Sequence, residues 1–203
     1  MVRLIDDLLD ISRITRGKLE LRKERVELAG VLDQALETSQ PQLGHDLSVS
    51  LPAGPIHMHA DPVRLAQLFS NLLNNACKFT PRGGRISLSA VREGTEVVVK
   101  VADTGIGISP EHLPRVFEMF SQASPALERA SNGLGIGLAL VRGLAEMHDG
   151  SVMALSGGVG RGSEFVVRLP IVTEIPPAAA KGSDTPAAQR CGARRILIVE
   201  DQQ

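Results

Sequence analysis

Asn71, Asn75 and Lys78 are spaced i, i+4 and i+7 within residues 62–79, where Leu65, Leu68, Leu72, Leu73 and Ala76 also recur at helical intervals. That spacing puts the two amides and the ammonium on one face of a helix and the aliphatic side chains on another. A carboxamide oxygen is a hard ligand suited to Mg²⁺, and a lysine one turn further on can hold a phosphate. A plain solvated face would also carry three polar residues, but asparagine is a poor helix former, and two of them in mid-helix ask for a reason. Asp61-Pro62 supplies the helix start, a carboxylate for the free N–H groups followed by proline at the first helical position.

Two glycine-bearing turns hold the other candidates. Asp103-Thr-Gly-Ile-Gly-Ile108 follows a valine-rich run. A carboxylate at the carboxyl end of a strand can accept a hydrogen bond from an exocyclic amine such as that of adenine. Gly105 and Gly107 would let the backbone approach a flat ring closely. Taken alone, an Asp-Thr-Gly turn is an ordinary loop. Gly133-Leu-Gly-Ile-Gly-Leu138 stands directly before a strongly helical stretch. Glycines that open a helix expose unpaired N–H groups at its positive dipole end, a ready phosphate site. The run is not the dinucleotide fingerprint, because position 138 is leucine and the preceding residues read as loop. It is not a Walker loop either, since no Gly-Lys-Ser/Thr follows.

A frame has to position these residues. Val2, Ile5, Leu8, Leu9 and Ile14 take one side of a helix over residues 2–14, with Asp6, Asp7, Asp10, Arg13 and Arg16 on the other and Gly17 as its stop. A helix so apolar needs a cover, either its own domain or the other half of a helical hairpin. Leu19–Leu28 reads as a strand, Val31–Gln40 as a helix ended by Pro41, and Leu47–Leu51 and Ile56–Ala60 as strands. Arg85–Val91 and Glu96–Ala102 are joined by a turn at Glu93-Gly94. Residues 110–120 hold a short helical piece, and Leu134–His148 form a helix stopped at Asp149-Gly150. Val152–Leu155 and Glu164–Leu169, around the glycine-rich turn 157–160, finish the sheet. This order predicts an α+β fold, a two-layer sandwich of a mixed sheet with helices on one face. Residues 174–193, rich in Pro, Ala, Gly, Ser and Thr, read as a linker, and Arg195–Val199 as a short apolar strand ending at Glu200-Asp201.

Composition narrows the partners. Among 203 residues the net charge is −1, with both signs interspersed, which gives no electrostatic case for nucleic acid or an anionic membrane surface. No apolar run approaches the roughly 18–20 residues that span a bilayer, and the paired acids of Met1–Asp10 are unlike a signal peptide. Cys77 and Cys191, far apart, form no disulfide framework and suit a reducing cytosol, so a cytoplasmic location is expected.

In order along the chain, the asparagine-bearing helix, the Asp-x-Gly-x-Gly turn, Phe117-Glu-Met-Phe120 and the Gly-x-Gly-x-Gly helix start resemble the N, G1, F and G2 boxes of histidine kinases. Gly160-Arg-Gly-Ser-Glu-Phe165 is similar to the G3 box. The resemblance covers almost all of residues 1–173. It implies the Bergerat sandwich shared with gyrase, Hsp90 and MutL ATPases, with ATP and Mg²⁺ as cofactors. By that resemblance Asp103 reads adenine with Gly105 and Gly107 beside it, Phe79 lines the adenine pocket, and Asn75 holds Mg²⁺. Asn71 and Lys78 face the phosphates as the catalytic pair, and Gly133, Gly135 and Gly137 lie under them, with a mobile lid inside Gly105–Asn132. The ATPase relatives carry a glutamate base where Asn71 stands, and an amide cannot accept a proton near pH 7. Transfer to an external nucleophile is therefore favoured over hydrolysis.

The ends fit the same resemblance. Val2–Arg13 looks like the second helix of a dimerisation hairpin, so 1–17 is a partial hairpin, 18–173 the catalytic domain, 174–193 the linker and 194–203 the first strand of a receiver domain. That arrangement implies a hybrid kinase, homodimeric when intact, with a response regulator or receiver downstream. None of the five histidines has the His-Glu-Leu-Arg-like context of a phosphoacceptor, which places that residue outside this fragment, on a histidine-bearing dimerisation helix. His57 and His59, at period two, could chelate a metal, but no third ligand is evident. A serine kinase of the same ATP-binding superfamily and a non-catalytic nucleotide-sensing module remain the alternatives.

Overall fold

The computed structural model describes residues 2–39, 44–121 and 135–172, with side chains from Asp7 onward. Gly133, much of the expected lid, the 174–193 linker and the 194–203 strand lie outside the described residues. Within them the order is α1 (Val2–Thr15), β1 (Glu24–Glu27), α2 (Leu28–Thr38), β2 (Asp46–Ser50), β3 (His57–Ala60), α3 (Pro62–Phe79), β4 (Arg85–Glu93), β5 (Glu96–Asp103), a 3₁₀ turn at Leu113–Arg115, α4 (Gly137–Met147), β6 (Ser151–Leu155) and β7 (Ser163–Pro170).

The main sheet has five strands in the order β2-β4-β5-β7-β6. Only β2 and β4 run parallel; the remaining pairs are antiparallel. β1 and β3 stand apart as an antiparallel pair. Alternation along the strands sends Ile86, Leu88 and Ala90, then Val97, Val99 and Val101, then Phe165, Val167 and Leu169 to one face, where all are buried. The helices cover that face, α3 against β5 and α4 against β6 and β7, with α2 beside α3. Leu65, Leu68, Phe69, Leu72 and Leu73 of α3 are completely buried at the centre. Each such side chain stabilises the fold by roughly 1.5–3 kcal/mol on burial. The expected two-layer α+β sandwich is therefore the fold found.

Three boundaries differ from expectation. Leu28, Val31, Leu32 and Ala35 are all buried at helical spacing, so α2 begins at Leu28 and leaves β1 only Glu24–Glu27. α4 starts at Gly137 rather than position 134, because Gly135 takes φ 68, which no right-handed helix contains. Residues 110–120 supply a single 3₁₀ turn. Gly17 does end α1, at φ 61, with its N–H bonded to Ile14 O and that of Lys18 to Arg13 O. The packing of α1 reverses the simple amphipathic picture: Asp7, Asp10 and Ile11 are buried, while Leu8 and Leu9 face solvent.

Candidate functional site

Three segments meet at the carboxyl end of β5. Asp103 shares the inward parity of Val99 and Val101, and it is only 8% exposed. Its Oδ1 accepts the Gly105 N–H at 2.7 Å, and its Oδ2 accepts the Ser163 hydroxyl at 2.7 Å. Both carboxylate oxygens are thus fixed by neighbours, and each retains lone-pair capacity for a ligand N–H.

The turn that follows is packed on both sides. The Phe79 carbonyl at the end of α3 accepts the Ile106 N–H at 3.1 Å. A side chain at Gly105 would put its Cβ 2.3 Å from that same oxygen. On the other side, the β6–β7 turn reaches over: Gly160 N–H donates to Ile106 O at 2.6 Å, and Gly162 N–H to Gly105 O at 3.1 Å. Gly107 sits at φ 70, and a Cβ there would meet Gly158 O at 2.1 Å. Ser156 ties the pieces together, accepting the Ile108 N–H at 3.0 Å and donating to Gly162 O at 2.7 Å. Phe79, Asp103, Gly105 and Gly107 are therefore brought together, with glycine required where backbone meets backbone.

α3 carries the polar candidates. Asp61 Oδ1 caps it through the Arg64 N–H at 3.1 Å. Asn71 is 8% exposed, and its side-chain Nδ2 is buried without a hydrogen-bond partner. An unpaired buried donor costs about 1–3 kcal/mol, a cost that a bound acceptor would remove. Asn75 is half-buried and Lys78 exposed. The Lys78 ammonium lies 5.0 Å from the Phe79 ring centroid, and partial withdrawal from solvent pushes its pKa below the ordinary lysine value.

Gly135 and Gly137 stand at the start of α4. Ile136, the residue before the helix, is buried and offers no side-chain cap to the first helical N–H groups. Phe120 N–H donates to Gly135 O at 3.1 Å, and Phe117 packs edge-on against Phe165 with centroids 6.3 Å apart. The Phe117–Phe120 segment is thereby anchored to the sheet and to the α4 start.

Ser163 and Ser156 are the site residues that sequence reasoning passed over. Ser163 was visible only as part of the glycine-rich hairpin; its role follows from cross-strand register, in which it pairs with Asp103. The histidines have structural places. His148 is buried, His112 bonds Ser109, and His45 bonds the Thr80 carbonyl. Among the described residues no group of His, Cys, Asp and Glu could hold a metal by itself, so His57 and His59 gain no third ligand.

Residues 60–173 match the family described as histidine kinase-, DNA gyrase B- and HSP90-like ATPases. The chain belongs to that family. It is 35% identical over 209 residues to the circadian input-output histidine kinase CikA of Synechococcus elongatus, covering 100% of this chain and 27% of that protein. Identity to the histidine protein kinase DivJ of Caulobacter vibrioides is 38%, covering 85% of this chain and 29% of that one. Among solved structures, full-length ShkA in complex with AMPPNP superposes with TM-score 0.72 at 32% identity, over 84% of this chain and 36% of that one. The mycobacterial sensor histidine kinase MprB gives TM-score 0.66 at 27% identity, over 73% of this chain and 98% of that one. The chain thus carries the ATP-binding domain of two-component histidine kinases and spans less than a third of the curated relatives it matches. No helix among the described residues is long and apolar enough to cross a membrane.

Proposed function

We propose that this chain is the catalytic part of a sensor histidine kinase of hybrid type, transferring the γ-phosphate of ATP to a histidine on a dimerisation helix. The observation that carries the reading is the doubly held Asp103 carboxylate beside close-packed Gly105 and Gly107, a rigid acceptor for an adenine amine. In this reading Phe79 lines the base pocket and Asn75 supplies an amide oxygen for Mg²⁺, which would neutralise phosphate charge. Asn71, with its free buried Nδ2, and Lys78 hold phosphate oxygens as the catalytic pair. Gly133, Gly135, Gly137 and the N–H groups opening α4 cradle the rest. The β,γ-bridging P–O bond breaks, a P–N bond forms to the acceptor imidazole, and ADP leaves. Asn71 offers no base to activate water, so these residues position rather than hydrolyse. Residues 1–17 would form part of the dimerisation hairpin, 18–173 the catalytic domain, 174–193 a linker and 194–203 the start of a receiver, in a cytoplasmic homodimer signalling to a response regulator.

The test is calorimetric titration with ATP and ADP, with and without Mg²⁺, followed by phosphotransfer to a supplied histidine-bearing hairpin. Nucleotide at about 100 times Kd should add roughly 2.7 kcal/mol of stability. Asn75→Ala should remove the Mg²⁺ dependence of binding and abolish transfer. An absence of binding at millimolar ATP, or a phosphorylated product stable to acid, would overturn the reading.

A further inference from the structure

β6 is the last strand of the main sheet, and among the described residues no strand pairs with its free edge. Alternate residues of such a strand turn their N–H and C=O groups away from the neighbour, here away from β7. Exposed edges are commonly blunted by a charge, a proline or a bulge. Ser151-Val-Met-Ala-Leu155 has no charged residue and no proline, and it pairs with β7 one residue for one, without a bulge. The side chains add to this. Val152 and Ala154 lie opposite Val167 and Phe165, on the face that the helices cover. Met153 and Leu155 take the outer face and are 49% and 48% exposed. On that face Val166 stands across from Met153, with Val98 diagonally beyond it, so the apolar strip runs on into the sheet.

A second copy of the chain fits this edge by symmetry. Two identical antiparallel strands can meet about a two-fold axis, each offering the other the same surface. An axis through Met153, the middle residue, uses the whole strand. It sets Met153 opposite Met153, Val152 opposite Ala154 and Ser151 opposite Leu155. The charges of β7 then fall favourably, because Arg168 neighbours Ser151 and Glu164 neighbours Leu155. Each flanking row on the outer face would run Arg168, Ser151, then Leu155 and Glu164 of the second copy, with opposite charges at its two ends. Both charges are already paired in their own sheet, Arg168 with Glu93 at 2.8 Å and Glu164 with Lys100 at 3.7 Å. The seam therefore gathers no unpaired charge and sets no like charges against each other.

We propose that β6 is a self-association edge, at which two copies of this chain join antiparallel into one continuous sheet. Asp103 pairs with Ser163 at the Leu155 end of β6, so the two proposed nucleotide sites lie at opposite ends of the joined sheet and both stay open. The association uses none of the residues proposed to hold nucleotide and does not rest on that reading. With five residues from each copy the interface is small, and the dimer is weak, with Kd roughly between 1 μM and 1 mM.

Sedimentation velocity and hydrogen exchange on the 203-residue chain, both across that concentration range, test this. A dimer should form, and the β6 amides that do not bond β7 should exchange about tenfold more slowly once the free chain exceeds Kd about tenfold. Met153→Lys and Met153→Glu should each abolish the dimer, because like charges directly opposite repel. Unchanged protection of β5 would report an intact fold in both. Mixing the two variants should restore association, as a heterodimer. If either fails to fold, a second contrast decides: Ser151→Glu with Leu155→Glu should be monomeric, and Ser151→Glu with Leu155→Lys should dimerise. A chain that stays monomeric throughout the range, or a dimer whose β6 amides exchange as fast as the monomer's, would overturn the proposal. So would a dimer that survives both Met153 variants, since its contact would lie elsewhere.

Discussion

Ser163→Ala should weaken ATP and ADP binding equally, and the size of the loss can be worked from two bonds. Asp103 has one oxygen held by a backbone N–H and the other by the Ser163 hydroxyl, at 2.7 Å each. A hydrogen bond to a charged group contributes about 1.5–3 kcal/mol. Ser163 is half-buried, so water can replace part of what is lost, which leaves about 1–2 kcal/mol. Each 1.4 kcal/mol is tenfold in affinity, so Kd should rise roughly 5- to 30-fold if the loss falls on the orientation of the carboxylate. Calorimetry with both nucleotides is the assay, with Ser163→Thr as the rescue that restores a hydroxyl. Since the contact is to the base end, the ATP and ADP values should move together. In an Asp103→Asn background the serine change should add little, because the two residues act as one unit. A Kd unchanged by Ser163→Ala, or a loss confined to ATP, would refute the reasoning.

Acidification should destabilise the domain through His148. This residue is buried, and its Nδ1–H donates to Leu144 O while Nε2 accepts the Asp61 N–H at 3.1 Å. Burial holds its pKa below the ordinary histidine value, so the unfolded chain takes up its proton first. The stability it contributes is present above pH about 6.5 and is lost as the pH falls from there toward the folded value. Urea melts at falling pH should show the midpoint dropping, and His148→Gln should flatten that dependence; a midpoint independent of pH would exclude it. Gly107→Ala should cost about 2 kcal/mol or more, since position 107 has φ 70 and the new Cβ would meet Gly158 O at 2.1 Å. Thermal melts and nucleotide titration would register it together, and a fully stable, fully binding alanine variant would show the turn to be more plastic than described.

How much could be read in advance depended on whether the signal was local. α3 was legible to the residue, because Asp61-Pro62 opens it and its leucines keep a helical period to Phe79. The β4–β5 hairpin was legible because Gly94, at φ 63, punctuates two alternating runs. Asp103, Gly105 and Gly107 could be picked out since the turn itself is glycine-rich. The β1–α2 junction was not legible: Leu28 serves a strand pattern and a helix pattern equally, and only its burial together with Val31, Leu32 and Ala35 against the core places it in the helix. Ser163 was missed because its partner is 60 residues distant. The orientation of α1 was hidden for a related reason. An acidic face reads as a solvated face until Arg64 and Gln67 are seen opposite it.

α3 joins these separate features. Its first turn is set by Asp61, whose own N–H is held by His148 at the end of α4. Its first two turns present Arg64 and Gln67 to α1. The middle carries Asn71 and Asn75, and the last turn ends in the Phe79 carbonyl that receives Ile106 from the Asp103 loop. Along the opposite side Leu65, Leu68, Leu72 and Leu73 are fully buried in the core. Truncating one of them to alanine would cost about 2–5 kcal/mol. A helix so anchored transmits displacement instead of absorbing it, since packed cores have discrete arrangements and deform little between them. The contacts of α1 and the residues proposed to hold nucleotide therefore share one helix. Any change in how α1 sits must either break the Asp10–Arg64 ion pair, 2.6 Å long, or carry α3 with it.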